Sequence, residues 1–190
     1  MANFVPLSEQ QEADEATESK PTTQKVISLL NEAQLEQRQK KMDCLYQVKE
    51  LVINKDPDLL DSFLDEVIAF QQDTSPEVRK FVVQFMQDAC KTDDGLLVRV
   101  IPMLSYMIED LNSSVVKRVM TAFMQLYMMA FVYTVKSKSS PEDIKEMWKA
   151  LHETKLRAVD MLEAENDGIR TMAIKFIEIV ILAQTTKEPV

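Results

Sequence analysis

Apolar residues recur at every third or fourth position along almost the whole chain, and no window shows the strict apolar–polar alternation of a half-buried strand. That single period confines the chain to packed helices. Val26, Ile27, Leu29, Leu30, Ala33 and Leu35 mark a first helix, with Thr22 or Thr23 as its cap, and Leu45, Val48, Leu51 and Val52 mark a second. Asp56-Pro57 opens a third, which turns Leu60, Phe63, Leu64, Val67, Ile68 and Phe70 inward, because proline at the first helical position gives up no hydrogen bond. Ser75-Pro76 opens a fourth helix to about residue 91, a fifth covers about 94 to 109, and Asn112 to Ser114 cap a long sixth ending near Lys136. Ser140-Pro141 starts the seventh, and the turn Asn166 to Gly168 leads into the eighth. Glycine occurs twice in 190 residues, too rarely for phosphate-cradling loops or tight hairpins that need positive φ.

Eight helices can form a bundle or an array, and self-similarity decides between them. Align the starts of helices four, six and eight on Val78, Val116 and Ile169. The next residue is basic each time (Arg79, Lys117, Arg170), and seven positions beyond the anchor stands Phe85, Phe123 or Phe176. Nine beyond it stands Gln87, Gln125 or Glu178, and a polar turn precedes each anchor. Each block is a first helix, a polar turn and a second helix. The expectation is an all-α, HEAT-type α-solenoid of about four antiparallel helix pairs, in which neighbours bury one another's apolar faces. The pairs fall at about 22–54, 57–91, 94–136 and 141–185, within a domain 22–186, after an acidic disordered tail 1–21 and before a short tail 187–190. In this frame Arg79, Lys117 and Arg170 position adjacent repeats by pairing with turn carboxylates such as Asp73, Asp110 and Asp167.

The chemistry-bearing arrangements are missing. His152 is the one histidine, so neither a zinc-protease helix nor a di-iron bundle can be assembled, and there is no G-x-S-x-G, G-x-x-x-x-G-K or G-x-G-x-x-G. Carboxylates such as Asp61, Asp65, Glu163 and Glu165 sit at helix ends and polar faces, where solvation is their ordinary role. The reading is of a chain with no catalytic residue, no cofactor and no metal. Cys44 and Cys90 lack metal or redox spacing and read as reduced packing residues. A net charge of −9 repels a phosphate backbone and argues against direct nucleic-acid binding. Val119 to Val135 carries no charge over 17 residues, but a helix of that length reaches about 25 Å, short of a hydrocarbon core of about 30 Å. A helix between two layers of its own protein is the better reading.

Second helices line the concave face of such a stack, so their polar columns are the recognition candidates. Offsets six and nine give Gln84, Ala122 and Lys175, with Gln87, Gln125 and Glu178 beneath. On the eighth helix Thr171, Lys175, Glu178 and Leu182 share a face, between the apolar Ile174, Phe176, Ile177, Val180 and Ile181.

These residues resemble the N-terminal HEAT domain of the symplekin family over about residues 24–185. The stretches that carry the likeness are LVINKDPDLLDSFLDEVIAFQ (51–71), EVRKFVVQFMQDACK (77–91), NSSVVKRVMTAFMQLY (112–127), VKSKSSPEDIKEMW (135–148) and NDGIRTMAIKFIE (166–178). The acidic tail and Lys149 to Glu163 follow the pattern less closely. The resemblance implies a nuclear protein-binding scaffold of messenger-RNA cleavage and polyadenylation, with a cytoplasmic pool possible in principle and other cleavage and polyadenylation factors as partners. It implies further that the domain docks, and so stimulates, the phosphatase acting on the serine at the fifth position of the RNA polymerase II C-terminal repeat. The family's lysine in the G-I-R-T-x-A-I-K run falls on Lys175, and the expected contact surface extends to Thr171, Glu178 and Gln125. The alternative is a helical-repeat module that binds RNA through a local basic patch of Lys117, Arg118, Lys136 and Lys138.

Overall fold

The computed structural model describes residues 7–136 and 139–185. Among them lie α1 (Leu7–Leu35), α2 (Arg38–Lys49), α3 (Leu60–Ile68), α4 (Pro76–Thr92), α5 (Leu97–Tyr106), α6 (Ser113–Lys136), α7 (Pro141–Asp160) and α8 (Asp167–Thr185), joined by short turns and with no strand. The all-α expectation therefore holds. The outer part of the expected first tail (1–6), the whole of the second (187–190), the expected domain end at 186 and Lys138 lie outside the described residues. So do the side chains of Ile181 and Leu182.

One boundary differs at once. Helix α1 begins at Leu7 and carries Pro21 within it, where the sequence suggested a tail to residue 21. Glu, Gln, Ala and Lys fill LSEQQEADEATESK, and all four favour helix even where there is nothing to bury.

The helices divide into two compact units, Met1–Val67 and Ile68–Val190, so the expected pair 57–91 crosses the division. In the first unit α1 lies against α2, joined by a link of two residues, Glu36 and Gln37. Val26, Leu30 and Ala33 of α1 and Leu45, Val48 and Val52 of the α2 segment are buried. Beyond Lys49 the helix widens into a π turn, Glu50–Lys55, closed where the Asp56 N–H donates to the Leu51 carbonyl at 2.8 Å. Leu51, Val52 and Ile53, consecutive in this turn, are all buried. Leu60, Phe63, Leu64 and Val67 bury the i, i+3, i+4, i+7 face of α3.

The second unit has two layers. Helices α4, α6 and α8 lie side by side in one, and α5 lies beside α7 in the other. The repeated phenylalanines make the first layer: Phe85, Phe123 and Phe176 are at most 1% exposed, and the Phe123 and Phe176 rings meet edge to face at 6.5 Å. Phe85 stacks on Phe81 at 6.4 Å. Helix α7 is tied to α6 by Trp148, whose ring meets Tyr127 at 5.9 Å and Phe131 at 6.2 Å while its indole N–H donates to Thr134 Oγ1 at 2.8 Å. Small residues let α5 and α7 approach: the hydroxyls of Ser105 and Thr154 are hydrogen-bonded at 3.0 Å.

Helix α6 explains its own composition. Its 24 residues are long and apolar enough to cross a membrane, with a mean hydropathy of 1.3 in the richest window, yet half of that window is buried inside the protein. With α4 on one flank, α8 on the other and Trp148 of α7 against it, little of the helix is left to be polar.

Candidate functional site

The polar turns ahead of α4, α6 and α8 are where the basic column does its work. Arg79, one turn into α4, crosses to the turn before α6: its Nε donates to Asp110 Oδ2 at 2.6 Å and its Nη2 to Asp110 Oδ1 at 2.9 Å. The two side chains are only 15% and 9% exposed, so this bidentate pair is protected from water and salt. Nη1 of the same guanidinium donates to the carbonyls of Asp73 (2.8 Å) and Thr74 (3.1 Å). The hydrogen bond to Asp110 holds the Arg79 guanidinium above its usual range. Burial would by itself raise the Asp110 carboxyl, but Arg79's hydrogen bonds, the Asn112 N–H and the Arg79 charge together bring it below the usual carboxylate range.

Arg170, at the equivalent place in α8, donates from Nη1 to the carbonyls of Ala164 (2.6 Å) and Glu165 (3.0 Å), the same relative positions that Arg79 uses. Its Nη2 turns back to Asp167 of its own turn. Lys117 does something different. Its ammonium packs on Gly168 in the first turn of α8, with Cε 2.8 Å from where a Gly168 Cβ would lie. Arg79 and Lys117 thus each reach forward to the next turn, by ion pair in one case and by packing in the other.

The amide column also links helices. Gln87 of α4, 3% exposed, donates to Gln125 Oε1 of α6 and accepts from Arg118 Nη2 at 3.4 Å. This arrangement corrects the expected concave columns in two places. Gln87 and Ala122 are buried, because the packed flanks of α4 and α6 meet there, so neither presents a surface to a partner. Gln125 is exposed while bonded to Gln87.

On α8 the expected face is in the open. Thr171, Lys175 and Glu178 are all exposed, and Thr171 Oγ1 caps the Asp167 carbonyl at 2.8 Å. Ile174, expected in the apolar body of the helix, is instead 50% exposed beside them. It sits one residue from Lys175, on the open side rather than on the Ala173–Phe176–Val180 stripe that is buried. The basic patch weighed for RNA is diminished. Arg118 is spent on Gln87, Lys117 is half-buried against a turn, and Lys136 stands exposed at the end of α6.

Sequence reasoning passed over two features. Arg118 was read only as part of a basic patch, and its bond to Gln87 was missed because the matching places hold Lys80 and Thr171, so no repeated pair marks it. A cleft between α5 and α7 lined by Tyr106, Glu109, Glu146 and Glu153 was also missed, because the first helices carry no repeated signature to align. Both cysteines are buried and unpaired; burial with the nearby Asp93 and Asp94 pushes the Cys90 thiol up to about 12.

Residues 112–190 match the family model described as Symplekin/PTA1 N-terminal. The matched stretch begins in the turn that Arg79 reaches and takes in α6, α7 and α8, and with them Gln125, Thr171, Lys175 and Glu178.

Proposed function

We propose, from the match of residues 112–190 to the Symplekin/PTA1 N-terminal family model, that this chain docks the phosphatase of the RNA polymerase II C-terminal repeat on the open face of α6 and α8. The family supports a scaffold role in messenger-RNA 3′-end processing, alongside other processing factors and in a nuclear setting. The phosphatase and the residues that hold it are the finer reading.

One observation carries that reading. Phe123 and Phe176 lock α6 to α8 through rings that are fully buried, so the exposed side chains above them are held on a rigid pair of helices. Gln125 is further fixed by Gln87, and Thr171 by the Asp167 carbonyl. Lys175 and Glu178 offer one charge of each sign, with the half-exposed Ile174 beside them as an apolar anchor. A preformed surface of this kind binds without paying to order itself, and a phosphatase seated on it is confined to fewer conformations than the free enzyme. Stimulation then needs no catalytic group from this chain; Arg79, Lys117 and Arg170 act only to hold the turns in place.

The test is binding of Lys175→Glu and Lys175→Ala variants to the purified phosphatase by calorimetry, with circular dichroism as the control for folding. Reversal of the charge should weaken the complex at least tenfold and abolish stimulation of the phosphatase while helicity stays the same. Full-strength binding by Lys175→Glu removes α8 from the docking surface.

A further inference from the structure

Helices α5 and α7, the first helices of their pairs, enclose a cleft of about 180 Å³ on the layer opposite α6 and α8. Its floor is made by small side chains: the Ser105 hydroxyl bonds Thr154 and points to the Ala150 carbonyl at 3.4 Å, so the two backbones run close. The space is below the roughly 300 Å³ at which sites for drug-sized ligands begin, and is enough for one long side chain.

The walls select the charge of that side chain. Glu146 and Glu153 lie seven residues apart on one face of α7, both line the cleft, and neither has an ion-pair or hydrogen-bond partner among the described residues. Glu109, at the end of the same cleft, is already held by the Arg157 guanidinium from within the chain. The cleft therefore takes one guanidinium of its own and leaves two carboxylates unanswered. Tyr106 stands at the mouth 78% exposed, with no hydrogen bond or ring partner among the described residues, a flat aromatic face open to a ligand. Carboxylates beside an open aromatic ring suit a planar cation: a guanidinium can stack on the ring and pair in bidentate fashion, whereas an ammonium can do only the second.

We infer that the α5–α7 cleft is a docking site for an arginine-bearing segment of a partner protein, one arginine entering between Tyr106 and the Glu146 and Glu153 carboxylates. The site stands apart from the α6–α8 face and does not depend on it. It gives the domain two surfaces, one on each layer, which is what a scaffold needs to hold two partners together.

The probe is a fluorescein-labelled nonapeptide of three arginines spaced by Gly-Ser, with a lysine counterpart, measured by anisotropy at about 0.15 M salt and by amide NMR on the intact chain. The arginine peptide should saturate and shift the amides of Ser105, Tyr106 and Glu153. E146Q/E153Q should weaken it at least tenfold. E163Q/E165Q removes the same charge from an exposed turn elsewhere and should change it less than twofold. Tyr106→Leu should weaken the arginine peptide and leave the lysine peptide unaltered. Equal losses in the two double variants would mean attraction to an acidic chain in general, and would overturn the site. Absence of binding, or shifts confined to other helices, would overturn it as well. All these positions are exposed, so the variants keep the fold, and circular dichroism verifies it.

Discussion

Replacing Arg79 by Met keeps the hydrocarbon stem and removes the charge that spans from α4 to the turn before α6. The ion pair consists of two charge-assisted bonds of 2.6 and 2.9 Å between groups that are 15% and 9% exposed. A solvated surface pair contributes about 0.2–1 kcal/mol and removing one partner of a fully buried pair costs about 3–5 kcal/mol; the partial burial here places the pair at about 2 kcal/mol. R79M also forfeits the bonds to the Asp73 and Thr74 carbonyls, about 1 kcal/mol each. The total is about 4 kcal/mol, against about 2 kcal/mol for D110N, whose amide oxygen can still accept from the Asn112 N–H. The double variant should cost about as much as R79M alone, leaving a coupling of about 2 kcal/mol. Urea unfolding followed by Trp148 fluorescence is the assay, since this single tryptophan lies in the same compact unit as the pair. A coupling below about 0.5 kcal/mol, or one that disappears in 1 M salt, would show that the pair behaves as an ordinary surface pair and that the turns are held by something else.

Three further outcomes follow from the same geometry. Because Asp110 titrates lower in the fold than in the unfolded chain, its contribution is complete above the ordinary carboxylate range near pH 4 and is lost as pH falls through the lower folded value; the stability gap between the native chain and D110N, measured by urea titration at stepped pH, should shrink below about pH 4. Phe176→Ala removes a ring that is 1% exposed and meets Phe123, so it should cost about 3–5 kcal/mol by the same assay, and a loss under 1 kcal/mol would deny that α6 and α8 share a packed seam. Cys90, held protonated by burial, should resist a thiol reagent at pH 8 until denaturant is added, and Cys44, buried in the other unit, should resist likewise; rapid labelling of either in native buffer would contradict its burial.

Much of the architecture was legible because it was written more than once. The Phe85, Phe123 and Phe176 column could be read without a structure since each ring answers the same demand, a seam between neighbouring second helices. Start signals were less uniform. Ser140 caps α7 as a helix-start serine should, accepting from the Asp143 N–H at 3.1 Å. Ser75 occupies the same position before α4 and caps nothing: its N–H donates to Asp73 Oδ1, its hydroxyl is buried without a partner, and the Asp73 and Thr74 carbonyls are answered by Arg79. The dipeptide located the helix start correctly in both cases, because proline at the first position acts through its own backbone, while the serine's bonding depends on tertiary neighbours. The site was legible to the same extent. Exposure of Lys175 and Glu178 followed from helical spacing, whereas the burial of Gln87 and Ala122 depended on how closely α4 and α6 approach, which no single helix encodes.

Helix α6 joins these observations. A helix that is apolar over 17 residues is buried or crosses a membrane, and sequence alone leaves that choice to length. The structure supplies the neighbours that make burial sufficient: Gln87 and Arg118 tie it to α4, Phe123 to α8, and Tyr127, Phe131 and Thr134 to Trp148 of α7. Between its two ends what remains open is a narrow strip, Gln125, Met128, Val132 and Val135, spaced i, i+3, i+7 and i+10 along one edge. Three of its four residues are apolar, and Met128 and Val132 share a shallow hollow with Asp94 of the turn between α4 and α5, so the helix that most needs covering keeps an uncovered edge. A second-helix layer built this way is rigid where it binds itself and adhesive where it faces out, and those are the two properties that docking another protein requires.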